Sequence, residues 1–253
     1  MADRGQYLFA VARGLDPQRL EGVAGLRKAE IQVLEHRGLQ AVTCGVDLDE
    51  FGEEALRRNL ESLPWLEEVA RAHDDVVQAT ALGATTAPMR LVTICSDEAS
   101  VRARLDEWYD GLQTALDRVE GCHEWSVKAF AALAPESGDE PTSRATSGAA
   151  YLARKRAQAD ERRAAADDAA RVADVVHEEL GAHTRATRRL APQDPRLAGY
   201  PGTMILNGAY LVHDDDQDAF RSAAEDLARR YPDAGIDVRG PWPPYSFATL
   251  DRE

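Results

Sequence analysis

Short apolar runs alternate with amphipathic stretches along this chain, which predicts a mixed fold of strands and helices. Residues 7–12 form a continuous apolar run typical of a buried strand. Two further strand-like runs, residues 30–36 and 39–46, flank Arg37-Gly38 and predict a β-hairpin. After Pro64, apolar or ring-bearing residues recur on one helical face: Leu66, Val69, Ala70, His73, Val76 and Val77. We therefore expect a small N-terminal α+β domain over residues 1–84.

The rest of the chain repeats a β-α-β pattern twice. The first repeat consists of a strand at residues 89–94, a helix that Asp97 caps, and a strand at residues 124–132. The second consists of a strand at residues 203–212, a helix at 220–230 and a strand at 236–238. Two such units in series predict a modified ferredoxin-like domain over residues 85–253.

A long helical insertion separates the two repeats. Residues 135–147 are poor in apolar side chains and predict a mobile loop, and residues 192–201 predict a rigid return loop. Between them we expect a helix at about residues 148–190. Small or apolar residues recur in it at every seventh position, a set called here the alanine seam: Leu152, Ala159, Ala166, Ala173 and Leu180. The seam is consistent with a helix that folds back on its own domain and with an arm that pairs with another protein.

The C-terminal sequence GPWPPYSF, residues 240–247, combines three prolines with three aromatic residues. Proline fixes φ and lacks a backbone donor, so this segment cannot form a central strand. We expect Trp242, Tyr245 and Phe247 to attach a tail, residues 240–253, to the body of the protein. The alternative is a proline-rich segment that a partner groove receives.

Composition excludes several classes of function. The net charge of −14 argues against a nucleic-acid or anionic membrane surface, and no apolar run is long enough to span a membrane. The N-terminus lacks the apolar core of a signal peptide, so we expect a cytoplasmic protein. Cys44, Cys95 and Cys122 form no pair at metal-binding or redox spacing, and we expect them to be reduced and structural.

No motif predicts catalysis, a cofactor or a metal. P-loop, G-x-G-x-x-G and G-x-S-x-G sequences are all absent. Asp214, Asp216 and Asp218 have the spacing of a calcium loop, but Ala219 occupies the position that requires glycine, so the start of a helix is the better interpretation. We therefore expect no enzyme, no cofactor and no metal.

Several short sequences follow one another in an order found in a known protein family. The most specific is the C-terminal GPWPPYSF, which follows the strand-like run from Leu206 to Val212. Weaker matches come earlier in the chain, and they are Trp65-Leu66 with Ala70 and His73, Gly121 with Glu124-Trp125 and Val127-Lys128, and Gly148 with Tyr151-Leu152. Together these sequences resemble the GvpF/GvpL family of gas vesicle proteins. One departure stands out: Leu91-Val92 replaces the Phe-Gly pair of the family's P-L-R-F-G-T-like run.

The resemblance implies both a fold and a role. The fold is an α+β N-terminal domain followed by a modified ferredoxin domain. The role is an accessory protein, or a minor component, of the gas vesicle that binds the hydrophobic shell protein GvpA and other gas vesicle accessory proteins. We expect the partner contacts to come from the alanine seam together with Tyr210, Trp242 and Tyr245.

Two other classes of function stay open at this point. One is an enzyme or small-ligand sensor on a ferredoxin-like sheet, with His73, Glu124 and Lys128 near a pocket. The other is a coiled-coil adaptor with no relation to vesicles.

Overall fold

The computed structural model describes residues 4–131, 148–193 and 202–248. The strands are β1 (Arg4–Arg13), β2 (Ile31–His36), β3 (Leu39–Asp47), β4 (Thr85–Pro88), β5 (Ile94–Cys95), β6 (Cys122–Ala131), β7 (Ala186–Arg189), β8 (Thr203–His213) and β9 (Ala234–Trp242). The helices are α1 (Leu48–Phe51), α2 (Glu53–Asn59), α3 (Leu63–Ala81), α4 (Glu98–Glu107), α5 (Tyr109–Val119), α6 (Gly148–Gly181) and, last, α7 (Gln217–Arg230). The predicted mobile loop at 135–147 and most of the predicted return loop lie outside the described residues.

The first sheet has the order β2-β3-β1-β4, and β5 also pairs with β1. β1 is antiparallel to its partners, and Tyr7 stands opposite Cys44 in β3 and Ile94 in β5. Helix α3 packs on this sheet through the apolar face that the sequence predicts, with Val69, Val76 and Val77 buried. The predicted strand, hairpin and helix of the N-terminal part are thus confirmed.

The second sheet has the order β7-β8-β6-β9. Because β6 lies between β8 and β9, the β8-α7-β9 segment is a split β-α-β unit of the kind that the sequence predicts. The core of this sheet includes Trp125, Tyr210 and Phe220, and the centroid of the Phe220 ring lies 5.7 Å from that of Trp125 and 5.6 Å from that of Tyr210. The α+β class is confirmed, with a long helix inserted between strands of the sheet.

The chain divides into two compact units. The first contains the residues up to Glu124 together with those from Pro241, and the second contains Trp125–Gly240. The first unit therefore extends past the predicted boundary at residue 84. The reason is that β4 and β5 pair with β1, so the segment after residue 84 completes the first sheet. No helix in the described part of the chain is long and apolar enough to cross a membrane.

Three predicted elements need correction. The predicted strand at 89–94 is a loop between β4 and β5, because Val92 has a positive φ of 66° and turns the chain. The single helix predicted after Asp97 is two helices, α4 and α5, which meet at Trp108. The insertion helix ends at Gly181 rather than near residue 190, because the following Ala186–Arg189 pairs with β8.

Candidate functional site

The loop at residues 89–93 bulges out beside β1 and forms one wall of a cavity. It is fixed at both ends, since Met89 N donates to Phe9 O and Leu8 N donates to Thr93 O, each at 2.9 Å. Within the loop, Val92 has a left-handed conformation that β-branched residues rarely adopt. The Val92 N–H donates to the Tyr7 hydroxyl at 3.0 Å, and this bond secures the strained residue.

Tyr7 connects the loop to a buried histidine. Its hydroxyl lies 3.0 Å from Nδ1 of His73, and both side chains are buried. Because this hydroxyl accepts from Val92, its own hydrogen is available to His73 Nδ1, which places the imidazole hydrogen on Nε2. Burial lowers the pKa of His73 to about 4 and raises the pKa of Tyr7. His73 Nε2 is buried and interacts with the backbone of Met89.

The C-terminal tail is attached to the first unit by hydrogen bonds and one buried ring. Ser246 donates to the Glu124 carboxylate twice, from its backbone N at 2.7 Å and from its hydroxyl at 2.6 Å. The Tyr245 hydroxyl donates to Asp74 at 3.0 Å, and Phe247 is 2% exposed. Trp242 does not attach the tail through burial as predicted, because its side chain is 41% exposed. It lies at the end of the edge strand β9.

These elements form two adjoining cavities in the first unit, both of which open to solvent. The larger has a volume of about 360 Å³, within the range of small-ligand sites, and the second has about 340 Å³. Both are lined by Met89, Arg90 and Tyr245. The larger is also lined by Pro88, Val92, Thr93, Ile94, Arg104, Trp108 and Ala248, and the second by Ala70, His73, Asp74 and Leu91.

Two arginines, Arg90 and Arg104, line the larger cavity. Among the described residues, neither Arg90 nor Arg104 forms an ion pair. Arg104 instead packs on Trp108, with its guanidinium carbon 4.9 Å from the ring centroid. Asp74 is the one carboxylate among the lining residues of the two cavities, and its oxygens accept from Tyr245 and Gln78.

A second candidate surface is the first half of α6. Every residue from Tyr151 to Asp168 is exposed, and burial begins only at Ala169. At 1.5 Å per residue this exposed stretch, called here the arm, is about 27 Å long. Alanine and arginine, both strong helix formers, are its commonest residues, so the arm can remain helical in water.

The alanine seam divides between these two environments. Ala173 and Leu180 are buried in the core of the second unit, whereas Leu152, Ala159 and Ala166 are exposed on the arm. The fold-back interpretation therefore holds for Ala173 and Leu180, and pairing of the other three residues with another protein stays a prediction.

The residues predicted as partner contacts lie in different environments. Ala173, Leu180 and Tyr210 are buried in the core of the second unit, and the Tyr210 hydroxyl bonds His177 at 2.8 Å. Tyr245 is half-buried, its hydroxyl is bonded to Asp74, and its side chain lines both cavities of the first unit. Leu152, Ala159, Ala166 and Trp242 have exposed side chains.

The alternative site of His73, Glu124 and Lys128 receives no support from their contacts. Glu124 binds the tail through Ser246, and Lys128 donates to Gln193 at 2.9 Å. The described residues contain no group of three side chains able to hold a metal ion. The Asp214–Asp216 segment is a 3₁₀ turn directly before α7, as the helix-start interpretation predicts.

The sequence did not identify Arg90 and Arg104 as candidates for a site. The one sequence feature that could have pointed to Arg90 is its position directly before Leu91-Val92, where the chain departs from the family pattern. That Arg104 and Trp108 would meet this loop depends on how α4 packs beside β5, which no local pattern encodes.

The fold, the attached tail and the exposed helix together define an α+β protein of the type found in gas vesicle proteins. GvpF from Anabaena sp. PCC7120 superimposes with a TM-score of 0.72 over 98% of both chains, at 17% identity. GvpF from Microcystis aeruginosa does so with a TM-score of 0.67 over 97% of this chain and 99% of its own, also at 17% identity. These likenesses show the fold.

Sequence comparison identifies the family. Residues 5–249 match the family described as Gas vesicle synthesis protein GvpL/GvpF, and the chain belongs to it. Gas vesicle protein L of Streptomyces sp. (strain CB03234) is 37% identical, covering 99% of this chain and 95% of that protein. Gas vesicle protein F of the same strain is 27% identical, covering 95% and 98%. The resemblance predicted from GPWPPYSF and the earlier motifs is thus confirmed.

Proposed function

We propose that this protein is an accessory factor of gas vesicle formation that binds the shell protein GvpA before or during its assembly into the vesicle wall. The observation that carries the proposal is membership of the GvpL/GvpF family over nearly the whole chain. Identity to protein L of the Streptomyces strain is higher than identity to its protein F, which favours an L-type role. The role is one of binding, and it takes place in the cytoplasm or at the vesicle.

The chemistry of the partner explains why such a factor is needed. A small, very hydrophobic β subunit in water exposes apolar side chains and unpaired strand edges, both of which promote premature association. A carrier that covers this surface reversibly delays association until the subunit reaches the wall. The net charge of −14 also keeps carrier molecules apart in solution.

We place the contact on the arm. Its residues from Tyr151 to Asp168 are exposed, so its faces are accessible to a partner. Leu152 is 55% exposed and Tyr151 is 42% exposed, and Ala159 and Ala166 continue the seam from Leu152 at seven-residue spacing. Small side chains in such a row permit a second helix or a strand to approach the backbone closely.

Trp242 offers a separate candidate contact at the end of β9. Its ring is 41% exposed, and β9 is an edge of the second sheet. Exposed tryptophans are enriched at binding hot spots. We also propose that other gas vesicle accessory proteins use these same surfaces.

Co-purification with GvpA tests the proposal. Tagged protein is co-expressed with GvpA, and the captured GvpA is measured for the wild type, for Ala159→Glu/Ala166→Glu on the seam, and for the matched pair Ala157→Glu/Ala164→Glu on another face of the arm. All four positions are exposed alanines, so both pairs add two charges without disturbing a core. We expect about tenfold less GvpA with the seam pair and an unchanged amount with the matched pair.

Two results would count against the proposal in different ways. Equal amounts of GvpA captured by the two double variants would show that the alanine seam is not the contact. Absence of GvpA from the wild-type capture would contradict direct binding of the shell protein.

A further inference from the structure

We propose that the larger cavity of the first unit binds a small organic oxyanion. In this site Arg90 and Arg104 pair with a carboxylate or phosphate group, and Trp108 and Tyr245 contact an aromatic or aliphatic body. The proposal is independent of shell-protein binding, because it concerns the loop at residues 89–93, α4 and the tail rather than the arm.

Charge is the first argument for this ligand class. The protein has 44 acidic and 30 basic residues, so an arginine has many available partners. Five arginines of the first unit form ion pairs with Asp or Glu, namely Arg13, Arg27, Arg37, Arg57 and Arg71, whereas Arg19, Arg58, Arg102 and Arg118 form none among the described residues and line neither cavity. Arg90 and Arg104 form none among the described residues, although both line one cavity. A guanidinium that lacks an acid partner offers a planar fork of donors to an incoming oxyanion.

The shape and lining of the cavity supply the second argument. A volume of about 360 Å³ accommodates a small molecule rather than a lone ion. Apart from the two arginines, the lining is mostly apolar, including Val92, Ile94 and Trp108. Arg104 already packs on the Trp108 ring, so its guanidinium is held toward a ligand with little further loss of side-chain freedom.

Backbone strain at the cavity is the third argument. Val92 lines the cavity at φ 66°, and strained residues of this kind cluster at binding sites, where the surrounding structure fixes them. Here the fixing contact is the hydrogen bond from Val92 N to the buried Tyr7 hydroxyl.

Calorimetric titration of the full chain tests the proposal with four probes. Phenylacetate and phenyl phosphate carry both a ring and an oxyanion, and whichever binds more tightly identifies the preferred anion. Inorganic phosphate tests the charge without the ring, and benzyl alcohol tests the ring without the charge. We expect saturable binding of at least one aromatic anion with a Kd of about 1 mM or tighter, and weaker binding of the other two probes.

Variants connect the binding to the cavity. Arg90→Gln/Arg104→Gln should weaken binding of the aromatic anion about tenfold or more. The matched pair Arg57→Gln/Arg71→Gln removes the same two charges from exposed helical ion pairs and should leave binding unchanged. Thermal unfolding midpoints of the two variants show whether each is folded. Absence of saturable binding by both aromatic anions, or equal binding by the cavity variant and the wild type, would overturn the proposal.

Discussion

Val92 has a backbone conformation that its own side chain disfavours. In the left-handed region the Cβ atom approaches the carbonyl oxygen, and a β-branched residue has the least freedom to relieve this contact. The family that the sequence resembles has glycine at this point of its P-L-R-F-G-T-like run, and glycine adopts positive φ without cost. The departure noted in the sequence therefore has a structural consequence, namely a strained residue at the cavity.

Comparison of Val92→Gly with Val92→Ala isolates this strain. Both changes remove the two γ-methyl groups of valine, and the glycine variant also loses the β-carbon. The two variants therefore differ by one methyl group of packing and in their tolerance of φ 66°. We expect the glycine variant to be more stable than the alanine variant by about 1 kcal/mol, the reverse of the order usual in helices and strands. Urea denaturation of the two variants measures the difference. An alanine variant as stable as the glycine variant would show that the position is not strained.

His73 should make the stability of the protein depend on pH. Its pKa falls from 6.5 to about 4 because burial disfavours the charged imidazole. Between pH 6.5 and pH 4 the unfolded chain therefore binds a proton that the folded chain does not, so stability is complete above pH 6.5 and is lost as the pH falls toward 4. Above pH 6.5 this difference in pKa between the unfolded and folded chains contributes about 3 kcal/mol to the free energy of unfolding.

His73→Gln tests this linkage, because glutamine can still accept from the Tyr7 hydroxyl but does not titrate. The free energy of unfolding is measured at pH 7 and at pH 4.5 for the wild type, for His73→Gln and for the control His183→Gln. We expect the wild type and the control to lose more stability on acidification than His73→Gln, by about 2 kcal/mol. Identical losses in all three proteins would contradict the linkage.

At the scale of elements, α6 combines a core helix with an exposed arm. Ala169, Ala173, Val176 and Leu180 pack in the second unit, whereas Tyr151–Asp168 is exposed. A helix of this composition shows no strong amphipathic pattern in its first half, so the sequence predicted the helix and its seven-residue spacing but not where burial begins.

Two leucines of the alanine seam should respond very differently to truncation. Leu180 is fully buried, so Leu180→Ala should leave a cavity and cost about 2–5 kcal/mol. Leu152 is 55% exposed, so Leu152→Ala should change stability by less than about 0.5 kcal/mol. Thermal or urea unfolding of the two variants provides the comparison. Similar costs at both positions would mean that the arm packs against the rest of the protein.

Local pattern predicted most elements, and the errors have physical causes. Apolar runs identified β1, the β2-β3 hairpin and β8, because apolar residues in each run either alternate with polar ones or continue without interruption, as in strands. The loop at residues 89–93 was mistaken for a strand because its composition is strand-like and only the φ of Val92 interrupts it. The break between α4 and α5 at Trp108 has neither proline nor glycine at the junction to mark it.

At the scale of the whole molecule, the sequence predicted the family but not the cavity. The order of short motifs from Trp65 to Phe247 was enough to indicate the family, because an aromatic and proline-rich terminus is rare in a chain with 6% aromatic residues. The cavity could not be predicted, because it joins a loop, helix α4 and the tail, which are distant in sequence. Pairing of β4 and β5 with β1 likewise decided which residues form each compact unit.

We propose that this protein supports gas vesicle formation through its exposed arm. Electron microscopy can count vesicles in cells that lack the chromosomal gene and carry a plasmid-borne copy. We expect few or no vesicles without the protein, restoration by the wild type and by Ala157→Glu/Ala164→Glu, and poor restoration by Ala159→Glu/Ala166→Glu. A normal number of vesicles in cells that lack the protein altogether would contradict this proposal.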